Sequence, residues 1–432
     1  MELTAVVWIA CVVIAYAVIS RRSAGWPISG PIVFVALGFV LGGDGLDLLE
    51  LEIGGEEVVV LAEITLAVLL FSDAARADPM TLAKEFALPA RLLGIGLPLT
   101  IALGTVMTAL LLTDLSLAEA ALVAAILAPT DAALGQPVVT DHAVPSSVRE
   151  TLNVESGLND GLVVPVVTVF LAITERGDAG DASSWVALAA EQIGYGTLVG
   201  LGVALLVGTT MLRAGRAGWV EPAYGQLAML AIAIGCWALA TSIDGNGFIA
   251  AFVAGLTIAV ISGGTAEEHV VVAEDVGQLL ALIAFVVFGA TFVGPALEEA
   301  TALVVVCALG TLTVGRMLPV AIALIGSGLR TPTVAFIGWF GPRGLASMLF
   351  GLVIVTESEV AGGDELFAVI TFVVLASTVL HGVTAAPLAR RYGAWYAAML
   401  DDGDDMMESD EAPEPRLRWR RRGQASTDGP RS

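Results

Sequence analysis

The chain has 432 residues, of which 56% are hydrophobic and 15% charged, with a mean hydropathy of +0.85. That balance excludes a soluble globular domain and puts most of the chain in lipid. A formal net charge of −23 argues against nucleic acid as a partner, since a phosphate backbone is recognised by basic surface.

Residues 2–20 form a first apolar segment that ends on Arg21 and Arg22 and lacks a basic n-region and a small-residue cleavage site. It is expected to be an uncleaved span, with the arginine pair in the cytoplasm and the N-terminus outside. Further apolar segments follow at 27–42, 58–75, 86–112, 117–140, 152–173, 185–212, 224–242, 248–262, 270–293, 300–325, 332–355 and 365–387. The expected fold is an all-α polytopic membrane domain over residues 1–400 with about 13 spans, since each needs roughly 20 residues. An odd count brings the C-terminus into the cytoplasm, and Arg76, Lys84, Arg149, Arg213, Arg216, Arg330, Arg390 and Arg391 then fall in inside loops. Arg176 is an exception on the outside, beside Asp178 and Asp181.

Acidic residues concentrate at 44–57 and 401–414, and Lys84 is the single lysine. An acidic, lysine-poor exterior suits a salt-rich medium, where charge repulsion is screened within a few Å; a GC-rich genome that favours arginine codons is the alternative. Residues 388–400 read as a short amphipathic exit helix, and 401–432 as a disordered cytoplasmic tail, acidic first and basic at 416–422. Cys11, Cys236 and Cys307 sit in apolar runs without metal or redox spacing and read as buried hydrophobes. Asp244 and Glu221 look loop-like. His142, His269 and His381 read as loop or helix-end hydrogen-bonding residues, His381 being the one placed to do more.

Chemistry concentrates in three stretches. APTD at 128–131 puts Pro129, Thr130 and Asp131 inside an apolar segment, and a proline there frees backbone carbonyls that lipid does not tolerate unless protein or a watery cavity covers them. A plain proline kink is the simpler reading, but Asp131 adds charge to the same spot. GWFGPRG at 338–344 is a second break, with Pro342 between glycines and a charged Arg343. Two interrupted segments in corresponding positions of two halves predict an inverted-repeat transporter with its site at the midplane. The third stretch, residues 151–165, carries Glu155, Ser156, Asn159 and Asp160 at about 0°, 100°, 40° and 140° on a helix of 3.6 residues per turn, one shared face. Gly157 and Gly161 lie away from it, a small-xxx-small pair that lets another helix approach.

A carboxylate at membrane depth costs at least about 2.5 to 3.5 kcal/mol, so Glu155 and Asp160 mark an ion or proton path. Glu155 is the natural partner of Arg343, which leaves Asp160 as the free titratable group. A structural hydrogen-bond network remains the alternative for Ser156 and Asn159. Asp73, ending the third segment, is either a functional carboxylate or a solvated helix end near Arg76.

With APTDA at 128–132, ESGLNDG at 155–161, GPRG at 341–344, FSDA at 71–74 and TVLHG at 378–382, the chain resembles the sodium/proton exchanger family, in its NhaP-type branch of monovalent cation/proton antiporters. The resemblance implies a homodimer, two crossed broken helices and an elevator-like movement of a core against dimerisation helices. It also implies Na⁺ ligation by Asp160, Ser156, Thr130, Asp131 and Asp73, with Asn159 structural and Glu155 paired to Arg343. Two positions depart from the family pattern: Asp73 where Glu is frequent, and His381 where Gln is common.

The expected function is therefore secondary antiport in the cell membrane, without cofactor and without enzymatic chemistry. Proton and Na⁺ (or Li⁺) compete for Asp160, because either neutralises it, and exchange follows if only the loaded carrier crosses between inward- and outward-facing states. One free carboxylate favours electroneutral exchange. K⁺/H⁺ antiport on the same fold is the nearest alternative and a cation channel a more distant one.

Overall fold

The computed structural model describes residues 3–23, 29–49, 56–76, 87–176, 182–263, 267–298, 300–357, 363–401 and 406–409. Lys84, Asp178, Asp181, residues 50–55 of the acidic loop and the basic run at 416–422 lie outside the described residues.

The described chain is helical throughout. In order it forms α1 (Leu3–Ser23), α2 (Gly30–Leu41), α3 (Glu56–Arg76), α4 (Ala87–Arg91), α5 (Leu97–Leu111), α6 (Leu117–Ile126), α7 (Ala132–Val139), α8 (Ser146–Arg176), α9 (Ala182–Val203), α10 (Thr209–Arg216), α11 (Pro222–Thr241) and α12 (Gly247–Ser262). It continues through α13 (Glu267–Thr291), α14 (Val293–Glu298), α15 (Ala302–Leu312), α16 (Val314–Ala323), α17 (Thr331–Trp339), α18 (Leu345–Glu357) and α19 (Gly363–Asp401). Single π turns at Leu92–Gly96 and Ala204–Gly208 join α4 to α5 and α9 to α10 without ending the rod.

Helix starts follow local chemistry. Proline opens α2, α11 and α17, where its missing N–H has no partner to lose. Ser116 and Glu119 close a capping box on α6. Asn246 accepts from the Phe248 and Ile249 amides and donates to Thr168, tying the start of α12 to α8.

Among the described residues, eight helical rods are long and apolar enough to cross a membrane, and four shorter apolar helices accompany them. Two of the short ones, α6 and α18, are halves of the broken segments, while α3 carries Glu63, Asp73 and Arg76 and falls outside the set. The expected separate exit helix at 388–400 is instead the continuation of α19, which runs through Pro387 without stopping. A single proline removes one amide bond, and neighbouring helices compensate for it in lipid.

Two groups of helices form the interior. In one, α2 packs on α13, and α12 on α3, α9 and α11. The α2–α13 seam is backbone-close, since a Cβ at Gly38 would stand 2.1 Å from the Val286 carbonyl and one at Gly289 2.1 Å from that of Val35. In the other group, α6 packs on α5 and α8, α17 on α16, and α19 on α7, α15 and α18. The helix α8 touches both groups through α3, α9 and α12 on one side and α6 and α7 on the other. Leu3, Val6, Val7, Ile14 and Val18 of α1 are exposed, as expected of side chains that meet lipid. Cys11 is exposed on the same helix, against its reading as a buried hydrophobe, whereas Cys236 and Cys307 are buried.

The expected disordered tail also needs correction at one place. Met407–Ser409 form a 3₁₀ turn, with Met406 and Glu408 buried. Glu408 Oε1 accepts from the Arg330 amide at 2.8 Å and from the Thr333 hydroxyl at 2.6 Å, and its carbonyl accepts from Ser147 Oγ at 3.1 Å. The acidic composition at 401–414 predicts solvation, but this carboxylate meets the Arg330 amide just before α17 and the Thr333 hydroxyl in its first turn.

Candidate functional site

The two interrupted segments meet at their breaks, residues 127–131 between α6 and α7 and residues 340–344 between α17 and α18. Each break serves the helix ends of the other. The Asp131 amide donates to the Pro342 carbonyl at 2.7 Å, and Asp131 Oδ2 accepts from the Leu345 amide at 2.8 Å, at the start of α18. Its Oδ1 accepts, at 3.4 Å, from the Leu134 amide in the first turn of α7. In return, Arg343 Nη1 donates to the Ala128 and Pro129 carbonyls at 2.6 and 3.0 Å, and Ser347 Oγ donates to the Ile126 carbonyl at 2.7 Å. A carboxylate thus faces the positive ends of α7 and α18, and a guanidinium the negative end of α6. Both oxygens of Asp131, a residue expected among the cation ligands, accept from helix-start amides.

The glycines of the second break make room for these charges. A Cβ at Gly344 would lie 2.0 Å from Asp131 Oδ2, and one at Gly341 2.3 Å from Arg316 Nε. No larger residue fits at either place without displacing a buried charged group.

Beside the paired breaks, α8 brings its polar face against the first of them. Thr130 Oγ1 lies 2.8 Å from Ser156 Oγ and accepts from Asn159 Nδ2 at 2.8 Å, so the hydroxyl of the break is held by two residues of one helical turn. Asn159 Oδ1 is buried and keeps its lone pairs without a hydrogen-bond partner. Asp160, one turn beyond Ser156, is partly buried. Thr130, Ser156 and Asn159 are thus joined by hydrogen bonds, with Asp160 one turn further along the same helix. A crevice lined by Gly135, Val138, Leu152, Asn153, Ser156 and Pro342 reaches the Ser156 side of this knot, with room for about one water. Asp73 is partly buried on α3, which packs on α8. Among the described residues, no three acidic, histidine or cysteine side chains stand close enough to hold a metal ion together.

The expected Glu155–Arg343 ion pair is not formed. Glu155 pairs with Arg316 of α16, in a two-pronged contact of 2.5 and 2.7 Å with both side chains buried. Arg343 is itself fully buried, and its Nη1 donates to the carbonyls at the end of α6. Like Arg343, Arg316 is an arginine inside an apolar run, 300–325, with Gly315 before it and Pro319 after it, a weaker form of the signal carried by GPRG.

The helix-end reading of histidine holds in part. His142 and His269 are exposed near helix ends. His381 is buried within α19, with both ring nitrogens in hydrogen-bond range of partners. Arg76, near Asp73, pairs with Glu274 of α13 at 3.0 Å.

Comparison with known proteins agrees with this geometry. A 20% identical solved structure, the sodium proton antiporter MjNhaP1 from Methanocaldococcus jannaschii, superposes with a TM-score of 0.73 over 90% of this chain and 98% of its own. Among curated proteins, the K(+)/H(+) antiporter NhaP of Alkalimonas amylolytica is 25% identical over 83% of this chain. The Na(+)/H(+) antiporter NhaP of Pseudomonas aeruginosa is 26% identical over 62% of this chain. The chain spans 62% of the length of the first of these relatives and 64% of the second. The family model for the sodium/hydrogen exchanger, transmembrane, matches residues 9–391. A match over most of the chain, with the two breaks and the α8 polar face inside it, makes this a member of the transmembrane sodium/hydrogen exchanger family, a family of transporters.

Proposed function

We propose that the protein is a secondary antiporter that exchanges a monovalent cation, Na⁺ in the first place, for protons across the cell membrane. The observation that carries this reading is the knot of Thr130, Ser156 and Asn159 at the break, one helical turn from Asp160. A dehydrated alkali cation needs several oxygen ligands and one negative charge. The Thr130 and Ser156 hydroxyls, the open Asn159 Oδ1 and the Asp160 carboxylate offer that set, and Asp73 adds a second negative charge on the neighbouring α3. A proton on Asp160 removes the charge the cation requires, so the two exclude each other and each loaded state is neutral at this carboxylate. The same charge balance favours electroneutral exchange. With the breaks covered by each other's charged groups, the core can move as a rigid body, which fits an elevator-like alternation in a homodimer with the N-terminus outside and the C-terminus inside.

A second reading, K⁺/H⁺ antiport at the same site, is favoured by the names of several relatives of about 25% identity. One experiment covers both. In reconstituted vesicles with a preset pH gradient and a pH-sensitive dye, a Na⁺ pulse should dissipate the gradient and Asp160→Ala should reduce the signal to background. A response to K⁺ but not to Na⁺ would transfer the proposal to the second reading. No response to either ion, or full exchange by Asp160→Ala, would end both.

A further inference from the structure

His381 sits on α19 facing the second break, 1% exposed. Its Nε2 lies 3.0 Å from the Trp339 carbonyl at the end of α17. Nδ1 lies between the Ser377 hydroxyl at 3.1 Å and the Ser377 carbonyl, one turn back, at 3.0 Å. With the proton on Nε2 the ring donates to Trp339 and Nδ1 accepts from the Ser377 hydroxyl, the arrangement that links the two ends of the break. The same Ser377 oxygen accepts from the Arg343 amide at 2.6 Å. Arg343 in turn holds the Ala128 and Pro129 carbonyls, immediately before Thr130. An unbroken series of hydrogen bonds thus runs from Trp339 through His381, Ser377 and Arg343 to the first break.

We propose that His381 is a positioning residue for cation binding: it fixes the Trp339 and Arg343 ends of the second break together and, through the Arg343 guanidinium, holds the backbone that carries Thr130. The geometry asks for one donor and one acceptor on a short planar group, and a glutamine amide supplies both without the ring. A side chain that only filled space would need neither nitrogen. The ring face does pack near Trp339, with centroids 5.3 Å apart, so packing and hydrogen bonding have to be separated by experiment.

This inference rests on the Thr130–Ser156–Asp160 reading of the cation site, and the test keeps the two apart. His381→Ala, His381→Gln, Ser377→Ala and Thr130→Ala are reconstituted beside the parent, and dye-reported exchange is measured against Na⁺ concentration, or K⁺ if that is the transported ion. His381→Ala should raise the apparent KM about tenfold at a near-parental maximal rate, the loss expected from one buried hydrogen-bond link. His381→Gln should restore the parental KM, and Ser377→Ala, which leaves the ring in place, should shift KM in the same direction as His381→Ala. A parental KM in His381→Ala or Ser377→Ala would overturn the inference, as would His381→Gln as impaired as the alanine variant. If Thr130→Ala keeps the parental KM, the cation-site reading fails; if Thr130→Ala is shifted and His381→Ala is not, only the role of His381 fails.

Discussion

At the residue scale the ion pair of Glu155 with Arg316 dominates, because both groups are buried and each is tolerable only with the other. Removing one partner leaves an uncompensated charge. Glu155→Gln should therefore destabilise the protein by about 3 to 5 kcal/mol, and the double replacement of Glu155 and Arg316 by methionine should recover much of that loss. Thermal melting in detergent measures both; a double variant no more stable than Glu155→Gln would deny the coupling. Which residue carries charge was readable from the sequence, since any carboxylate or arginine inside an apolar run needs a reason. Which arginine answers which carboxylate was not. Arg316 and Arg343 are chemically equivalent candidates, and only the positions of α16 and of the α6 carbonyls separate an ion pair from a helix cap. The same holds for Asp131, whose oxygens meet two helix starts rather than extend the hydroxyl cluster.

At the element scale, the breaks at 127–131 and 340–344 were legible because proline and glycine act locally on the backbone, wherever the segment ends up. The face of α8 was legible for a similar reason, since helical period alone puts Ser156, Asn159 and Asp160 on one side. Its opposite side was read less well. Gly161 is filled by the ring of Phe252, where a Cβ would lie 2.0 Å away, whereas nothing stands within 4 Å of a Cβ at Gly157. The two positions of the apparent motif should thus respond oppositely. Gly161→Ala should destabilise by about 1 to 3 kcal/mol through overpacking. Gly157→Ala should be neutral or stabilising by up to about 1 kcal/mol from helix propensity. Melting curves of the two variants would show the difference, and equal shifts would mean that the α8–α12 contact is not as close as described.

At the scale of the whole molecule, the turn at Met407–Ser409 connects the far end of the chain to the starts of α8 and α17. Glu408 caps α17 and shares the Thr333 hydroxyl with Tyr392 of α19, at 3.0 Å from that hydroxyl. Glu408→Ala should cost about 1 to 3 kcal/mol as the buried donors lose their acceptor. The readout is again the melting temperature in detergent, and replacing Asp114, an exposed acidic residue elsewhere, should leave it unchanged. Composition, hydropathy and breaker residues by themselves determined that this is a helical membrane protein, where two of its segments are interrupted and which face of α8 is polar, because those are local properties of the chain. Only the tertiary structure decided that Glu155 meets Arg316, that Arg343 and Asp131 close each other's helix ends, and that an acidic tail residue is buried. Like charges are interchangeable along a sequence, and burial makes the difference between them only once packing has chosen which helix ends and side chains share the same few ångströms.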